Sequence, residues 1–304
     1  MTITGATGLI GRSLLAALGE REAQVTVLTR DPARTRALAG LPELGGLQMV
    51  CWQPLAEPAP AHALAGRDAV VHLAGEPVAQ RWSARARRAI RDSRVLGTSN
   101  LRAGLAGAQP RPQVLISASA IGYYGRHGEE PLDEETPPGG DFLAKVCTEW
   151  EAAAAGAREL GMRVVQVRNG IVLDRGGGAL AKMLTPFRLG LGGPVAGGRQ
   201  YMSWIHVRDV VGMTLAALED ERWSGPVNAT APDPVTNREF SKVLGRVLGR
   251  PSLIPVPGLA LRARYGAMAE IITSGARALP VKALVHGYQF AHPQLEQALR
   301  SALA

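Results

Sequence analysis

The chain has 304 residues, 46% of them hydrophobic and 20% charged, with a formal net charge of +8 and two cysteines. That size suits one large domain, or a large one with a small companion, around a full core. The two cysteines, Cys51 and Cys147, are too few for a disulfide framework and lack metal-ligand spacing, so the sequence predicts free thiols in a reducing cytoplasm and no metal centre. No apolar run reaches the roughly 18 residues of a membrane span, and no basic-then-apolar leader opens the chain. The charge excludes less. Its densest group, Arg81, Arg85, Arg87, Arg88, Arg91 and Arg94, runs through one predicted helix and reads as a solvated face with one or two phosphate contacts. Without aromatic interleaving or a DNA-binding motif, nucleic acid is not an expected partner.

Along the chain, short β-rich runs alternate with longer Ala/Leu/Arg-rich stretches. A short strand ends at Thr4 and is followed by "GATGLIGR", with glycines at 5, 8 and 11, opening a helix from Leu9. In such a turn the first glycine permits the bend, the second lets backbone approach a phosphate, and the third allows helix–strand packing. The diphosphate would sit at the positive helix end, with Gly5, Thr7, Gly8, Leu9, Ile10 and Gly11 as its cradle. The first strand is short, which suggests a start lying upstream or a clipped strand. The second strand, "TVL", ends at Thr29 and Arg30, where a dinucleotide site for NAD usually has an acid. Arg30, helped by Arg34 and Arg12, suits an adenosine 2′-phosphate, so NADP(H) is favoured over NAD.

"DAVVHLAGE" supplies a further strand, ending in Leu73, Ala74 and Gly75, small enough to lie beside a flat cofactor. His72 within it reads as a satisfied strand histidine. A long helix from Ser83 carries Arg94, and "QVLISAS" makes the next strand, with Ser117 and Ser119 near its end and Tyr123 and Tyr124 just beyond. Another helix follows around Lys145, then the strand "RVVQVRNGIVL". After Leu173, Gly and Pro become frequent, and helices dominate from Asn237 onward. Strand–helix alternation predicts an α/β fold, a Rossmann doubly wound parallel sheet with right-handed crossovers and a smaller, mostly helical C-terminal lobe. The expected division is an NAD(P)-binding domain over 1–235, with substrate-loop insertions from about 174, and a small domain over 236–304.

"TGATGLIG", "HLAGE", "SASAIGYYG" and "WIHVRD" together resemble the extended short-chain dehydrogenases/reductases. "PFRLGLGGPVAGGRQYMSWIHVRD" and "LGRPSLIPVP" resemble more closely their atypical epimerase-like, NADP-dependent oxidoreductase branch, which ends in a domain of unknown function. The resemblance spans nearly the full length. It implies a Rossmann fold, an NADP(H) site and a small C-terminal lobe, and it leaves the substrate open. By resemblance Ser119 holds the catalytic serine position, with Ser117 as a nearby alternate. The Tyr and Lys that complete the usual set are missing: their slots fall on Leu143 and Cys147. Tyr123 or Tyr124 could then donate the proton. Arg94 stands where the family has an asparagine, and could clamp a cofactor phosphate or an anionic substrate. Met202 fills a slot where sugar-nucleotide enzymes often carry an arginine.

Three functions follow as expectations. The first is an NADP(H)-dependent oxidoreductase acting on a small carbonyl or hydroxyl compound. The second is a non-catalytic NADPH-binding sensor or interaction protein, suggested by the absent Tyr–Lys pair. The third is a nucleotide-sugar epimerase-like enzyme, resting on fold analogy. A small-molecule substrate is the expected partner, and a homodimer is compatible with the resemblance.

Overall fold

The computed structural model describes residues 1–36 and 47–304, less the side chains of Arg34, Arg36 and Arg264. Seven strands form one sheet: β1 (Thr2–Thr4), β2 (Thr26–Thr29), β3 (Gln48–Cys51), β4 (Ala69–His72), β5 (Val114–Ala120), β6 (Arg163–Asn169) and β7 (Gly225–Ala229). Their order is β3-β2-β1-β4-β5-β6-β7, and every pairing in it is parallel. The chain leaves β1 first toward β2 and later toward β4. The C-terminal edge between β1 and β4 is therefore the topological switch point, where such sheets hold ligands.

The two-residue alternation of a strand sorts side chains onto two faces. Ile3, Val27, Val71, Ile116 and Val165 share one buried cluster with Leu14, Leu15 and Leu18 of α1 (Leu9–Gly19). Leu28, Val70, Leu115 and Val164 share another with Leu101 and Leu105 of α2 (Ala84–Gly107). These are the dry halves of a doubly wound core; each fully buried Leu or Ile contributes about 1.5–3 kcal/mol of burial. α3 (Phe142–Ala155) packs beside α2, its first turn capped by Asp141, whose carboxylate accepts from the Ala144 amide at 2.9 Å.

One hydrophobic cluster joins the smaller lobe to the segment before it. Its core joins Phe240 and Leu244 of α6 (Asn237–Leu248) and Leu299 of α7 (Leu295–Leu303) to Leu180, Leu184 and Phe187 of α4 (Gly178–Arg188) and to Trp204. Met202 and Trp204 are thus a buried seam between sheet and lobe. α5 (Val207–Glu219) follows on the α1 side of the sheet.

Candidate functional site

At the switch point lies a cleft of about 370 Å³ lined by Gly5, Gly8, Leu9, Ile10, Gly11 and Leu73, with Ala118 and the 170–172 and 178–179 backbone opposite. Each glycine has a separate physical reason. Gly5 has φ +70°, and a Cβ there would stand 2.6 Å from the Leu73 carbonyl carbon. A Cβ at Gly11 would meet the Gly5 oxygen at 2.4 Å, because the start of α1 rides directly on the loop. A Cβ at Gly8 would stand 3.2 Å from the Gly5 carbonyl oxygen, a milder crowding than at Gly5 or Gly11, at a position that also lines the cleft. Thr4 fixes the loop's underside: its hydroxyl accepts from the Leu73 and Ala74 amides, both at 3.2 Å.

The far wall comes from the glycine run after Leu173. A Cβ at Gly177 would lie 3.3 Å from a Leu9 methyl, so the run crosses close over the first turn of α1. The start of α4 also borders the cleft, through Gly178 and Ala179. Two helix N-termini, each with unsatisfied amides and a positive dipole end, therefore face one space. This is the run from about 174 expected as a substrate-loop insertion, and its glycines allow the close approach to the first turn of α1.

At the end of β2, Thr29 is spent on the turn, its hydroxyl accepting from the Asp31 amide at 3.2 Å and from Thr35 at 2.9 Å. Arg30 is exposed and unpaired among the described residues. The Arg34 side chain lies outside the described residues. Thr7, Ala74 and Gly75 border the glycine loop and the end of β4.

Arg94 is not a free clamp. One guanidinium nitrogen donates to the carbonyls of Glu76 at 3.0 Å and Ile90 at 3.1 Å, and the group sits 5.0 Å over the Trp150 ring. Gly75 lies flat beneath it, where a Cβ would come within 3.2 Å of the guanidinium carbon. Arg94 therefore braces the loop after β4.

The predicted reaction side chains divide sharply. Ser117 and Ser119 point to the α3 face and are buried, while Ala118 points into the cleft. The Ser119 hydroxyl donates to Glu151 at 2.6 Å. Glu151 holds Arg168 through two bonds, at 2.8 and 2.9 Å, and Arg168 donates to the Tyr124 hydroxyl at 3.0 Å. The Tyr124 hydroxyl in turn donates to Asn228 at 2.7 Å or to the Asp133 carbonyl at 2.8 Å. Burial pushes its pKa up to about 12. These are corrections to the sequence reading: the Ser119 proton is committed to a buried carboxylate, and Tyr124 is a fully buried brace. Tyr123 is different. It is half-buried at the strand end, with the Arg168 guanidinium 3.5 Å over its ring. Leu143 and Cys147 pack beside Gly122, and burial raises the Cys147 thiol to about 12, so that slot supplies no ready acid or base.

His72, His206 and His292 have partners within the fold. His72 lies between the hydroxyls of Thr4 at 2.7 Å and Thr98 at 3.1 Å, and burial pulls its pKa down to about 4. His206 stacks on His292 at 3.9 Å with 29° between the rings. Asp209 completes a group whose donor atoms lie within 4.8 Å of one another. Stacked rings set their nitrogen lone pairs side by side and not on one point, and the Asp209 carboxylate accepts from the Ala291 and His292 amides at 2.7 and 3.1 Å. The group ties the C-terminal segment to the start of α5.

Comparison with known proteins agrees with this geometry. Residues 1–229 match the model of the NAD dependent epimerase/dehydratase family. The chain belongs to that family. Residues 256–302 match a domain of unknown function, DUF1731. Among relatives of this family, the chloroplastic SDR39U1 homologue of Arabidopsis thaliana is 39% identical over 100% of this chain and 86% of its own length. An epimerase family protein of Mycobacterium tuberculosis is 41% identical over 98% of this chain and 96% of its own. The human epimerase family protein SDR39U1, crystallised with NADPH, superposes with a TM-score of 0.87 at 34% identity, covering 99% of this chain and 98% of that one. A structure described as a nucleoside-diphosphate sugar epimerase from Corynebacterium glutamicum gives 0.78 at 33% identity, covering 99% of this chain and 57% of that one. Among the described residues no helix is long and apolar enough to cross a membrane.

Proposed function

We propose that this family member is an NADP(H)-dependent oxidoreductase acting on a small carbonyl or hydroxyl compound. The observation that carries it is the switch-point cleft at the start of α1, beside an Arg30 that is exposed and, among the described residues, unpaired at the end of β2. The NADPH in the human relative's structure supports the same cofactor. The residues fit it: the glycine loop and the two helix N-termini would take the diphosphate, and Arg30 the 2′-phosphate. When bound, NADPH supplies a hydride, so that carbonyl, NADPH and one proton give alcohol and NADP⁺. Leu73 and Ala118 would exclude water from the cofactor's flank. Tyr123 would hold the proton for the carbonyl oxygen, being the one polar side chain of the 119–124 segment whose hydroxyl is not committed within the fold. The free thiols Cys51 and Cys147 suit a reducing compartment, and we assign the protein to the cytoplasm.

The deciding test is a titration with NADPH and NADH, read by tryptophan-to-nicotinamide energy transfer. The expected result is tight NADPH binding that falls at least tenfold in Arg30→Ala, with NADH little changed. Equal affinities for the two cofactors, unaltered in Arg30→Ala, would overturn the assignment. Leu143 and Cys147 in the usual Tyr–Lys slots favour a second reading, a non-catalytic NADPH sensor. A broad carbonyl panel that oxidises no NADPH above background would select it.

A further inference from the structure

The basic charge of the chain is unevenly spread. Residues 175–208 hold five basic residues and no acid, and residues 240–269 again hold five and no acid. Ten positive charges here, against a net charge of +8, leave −2 for all other residues together. The fold brings parts of these two acid-free segments side by side. The Arg250 side chain donates to the Arg188 carbonyl at 3.1 Å, the Ile254 amide to Gly192 at 3.3 Å and the Val256 amide to Pro194 at 2.9 Å. A Cβ at Gly193 would strike the Ile254 backbone, so glycine is what lets the two segments lie this close. Together, 188–196 and 250–256 form a ridge, which the short helix Gly258–Tyr265 continues.

The ridge carries its apolar side chains in water. Leu253, Leu259 and Leu189, at 83%, 80% and 69%, are the most exposed leucines among the described residues, and Leu191 and Ile254 are exposed beside them. Leu253 and Ile254 are consecutive and both exposed, so the chain has water on both sides there. Pro251, Pro255 and Pro257 stiffen this segment and bring no amide that needs a partner. Arg188 and Arg250 flank the leucines, exposed and without an ion pair among the described residues. One acid, Glu270, shares a cavity wall with Leu259, and Arg262 lines the same cavity. A side chain four-fifths exposed projects from the surface, and a projecting apolar edge enters a fluid lipid boundary without needing a preformed groove. The acid-free surround adds attraction to a negatively charged headgroup layer.

We propose that this ridge docks the protein on an anionic phospholipid surface, with Leu189, Leu191, Leu253, Ile254 and Leu259 in the headgroup boundary and Arg188 and Arg250 on the phosphates. The chain then lies on the bilayer and does not span it. α4 begins at the cofactor cleft and ends at the ridge, so its length, about 16 Å, separates the two. The inference stands without the oxidoreductase reading.

Co-flotation of the full chain tests it, with vesicles of equal parts phosphatidylglycerol and phosphatidylcholine beside vesicles of phosphatidylcholine alone. Binding to the mixed vesicles should be at least about tenfold stronger than to the neutral ones, and should weaken as salt is raised. Arg188→Gln should weaken it about fivefold, the worth of one basic residue at such a surface. Leu253→Gln combined with Leu259→Gln should weaken it at least about tenfold, with Tm and NADPH affinity unchanged, because both side chains stand clear of the fold. Val285→Gln, exposed on another helix, and Arg85→Gln with Arg88→Gln on α2, the other basic group, should bind like the parent. No flotation with mixed vesicles, equal flotation with neutral ones, or loss caused by the α2 pair and not by the leucine pair would each overturn the proposal. So would full binding in the leucine pair with loss in Arg188→Gln, which is plain charge attraction. A leucine-dependent dimer in sedimentation velocity, with no vesicle binding, would give the ridge to a second copy instead.

Discussion

The Glu151–Arg168 pair offers a quantitative test of what the strand-end network does. Both side chains are nearly dry, 10% and 3% exposed. Glu151 accepts from Ser119 and twice from Arg168, so Glu151→Leu removes three charged hydrogen bonds at once. It leaves a guanidinium in the interior with only the Tyr124 hydroxyl and the Glu134 carbonyl as partners. Breaking a buried pair from one side costs about 3–5 kcal/mol. At roughly 2–4 °C per kcal/mol for a domain of this size, that is a drop of about 6–20 °C in Tm. Arg168→Met should cost a similar amount by stranding the carboxylate. The double variant should be more stable than the sum of the singles predicts, because an apolar pair strands no charge. Ser119→Ala, which removes one bond of three, should cost only about 1–3 kcal/mol. Urea unfolding followed by tryptophan fluorescence measures all four. Single variants within about 1 kcal/mol of the parent, or costs that simply add in the double variant, would refute the claim that these groups form one coupled support. Ser119→Ala that lowers NADPH-dependent turnover far beyond its stability loss would instead return that serine to the reaction site.

The glycine loop separates folding from binding. Gly8→Ala, whose Cβ would crowd the Gly5 oxygen at 3.2 Å, should lower Tm less than Gly11→Ala, whose Cβ would meet it at 2.4 Å, and should weaken NADPH binding; a Gly8→Ala variant that binds NADPH like the parent would refute its role in the cleft. Stability should fall with acid through His72. Its pKa is pulled from 6.5 to about 4 by burial, so between those values the unfolded chain binds a proton that the folded chain refuses. The contribution is fully present above about pH 6.5 and is lost as pH falls toward 4, up to roughly 3 kcal/mol. Urea midpoints measured across that range should flatten in His72→Gln by this share; an unchanged slope would show that His72 titrates normally. Tyr123→Phe should lower turnover with any carbonyl substrate while leaving NADPH affinity intact, and full activity in that variant would remove it as the proton donor.

The fold was legible where local rules and tertiary packing agree. Glycines at 5, 8 and 11, opening a helix after a short strand, admit few structures, and the sheet around them follows from the alternation of strands and helices. β3 left a weaker trace. It is a four-residue edge strand whose residues are all partly or fully exposed, so its apolar Met49, Val50 and Cys51 mark no buried face. The seam was legible as an apolar set, Leu184, Phe187, Met202 and Trp204, but its partners on α6 lie some sixty positions on, and only the fold shows that α4 buries its apolar face against them. The site was least legible in its polar groups. A serine at a strand end has two faces available, and the one-residue alternation of β5 turned Ser119 toward α3 and Ala118 toward the cleft. Resemblance placed the serine at the right height but could not say which way it points. Arg94 failed likewise, since a guanidinium in a helix can clamp a ligand or brace carbonyls, and the choice depends on the loop it meets.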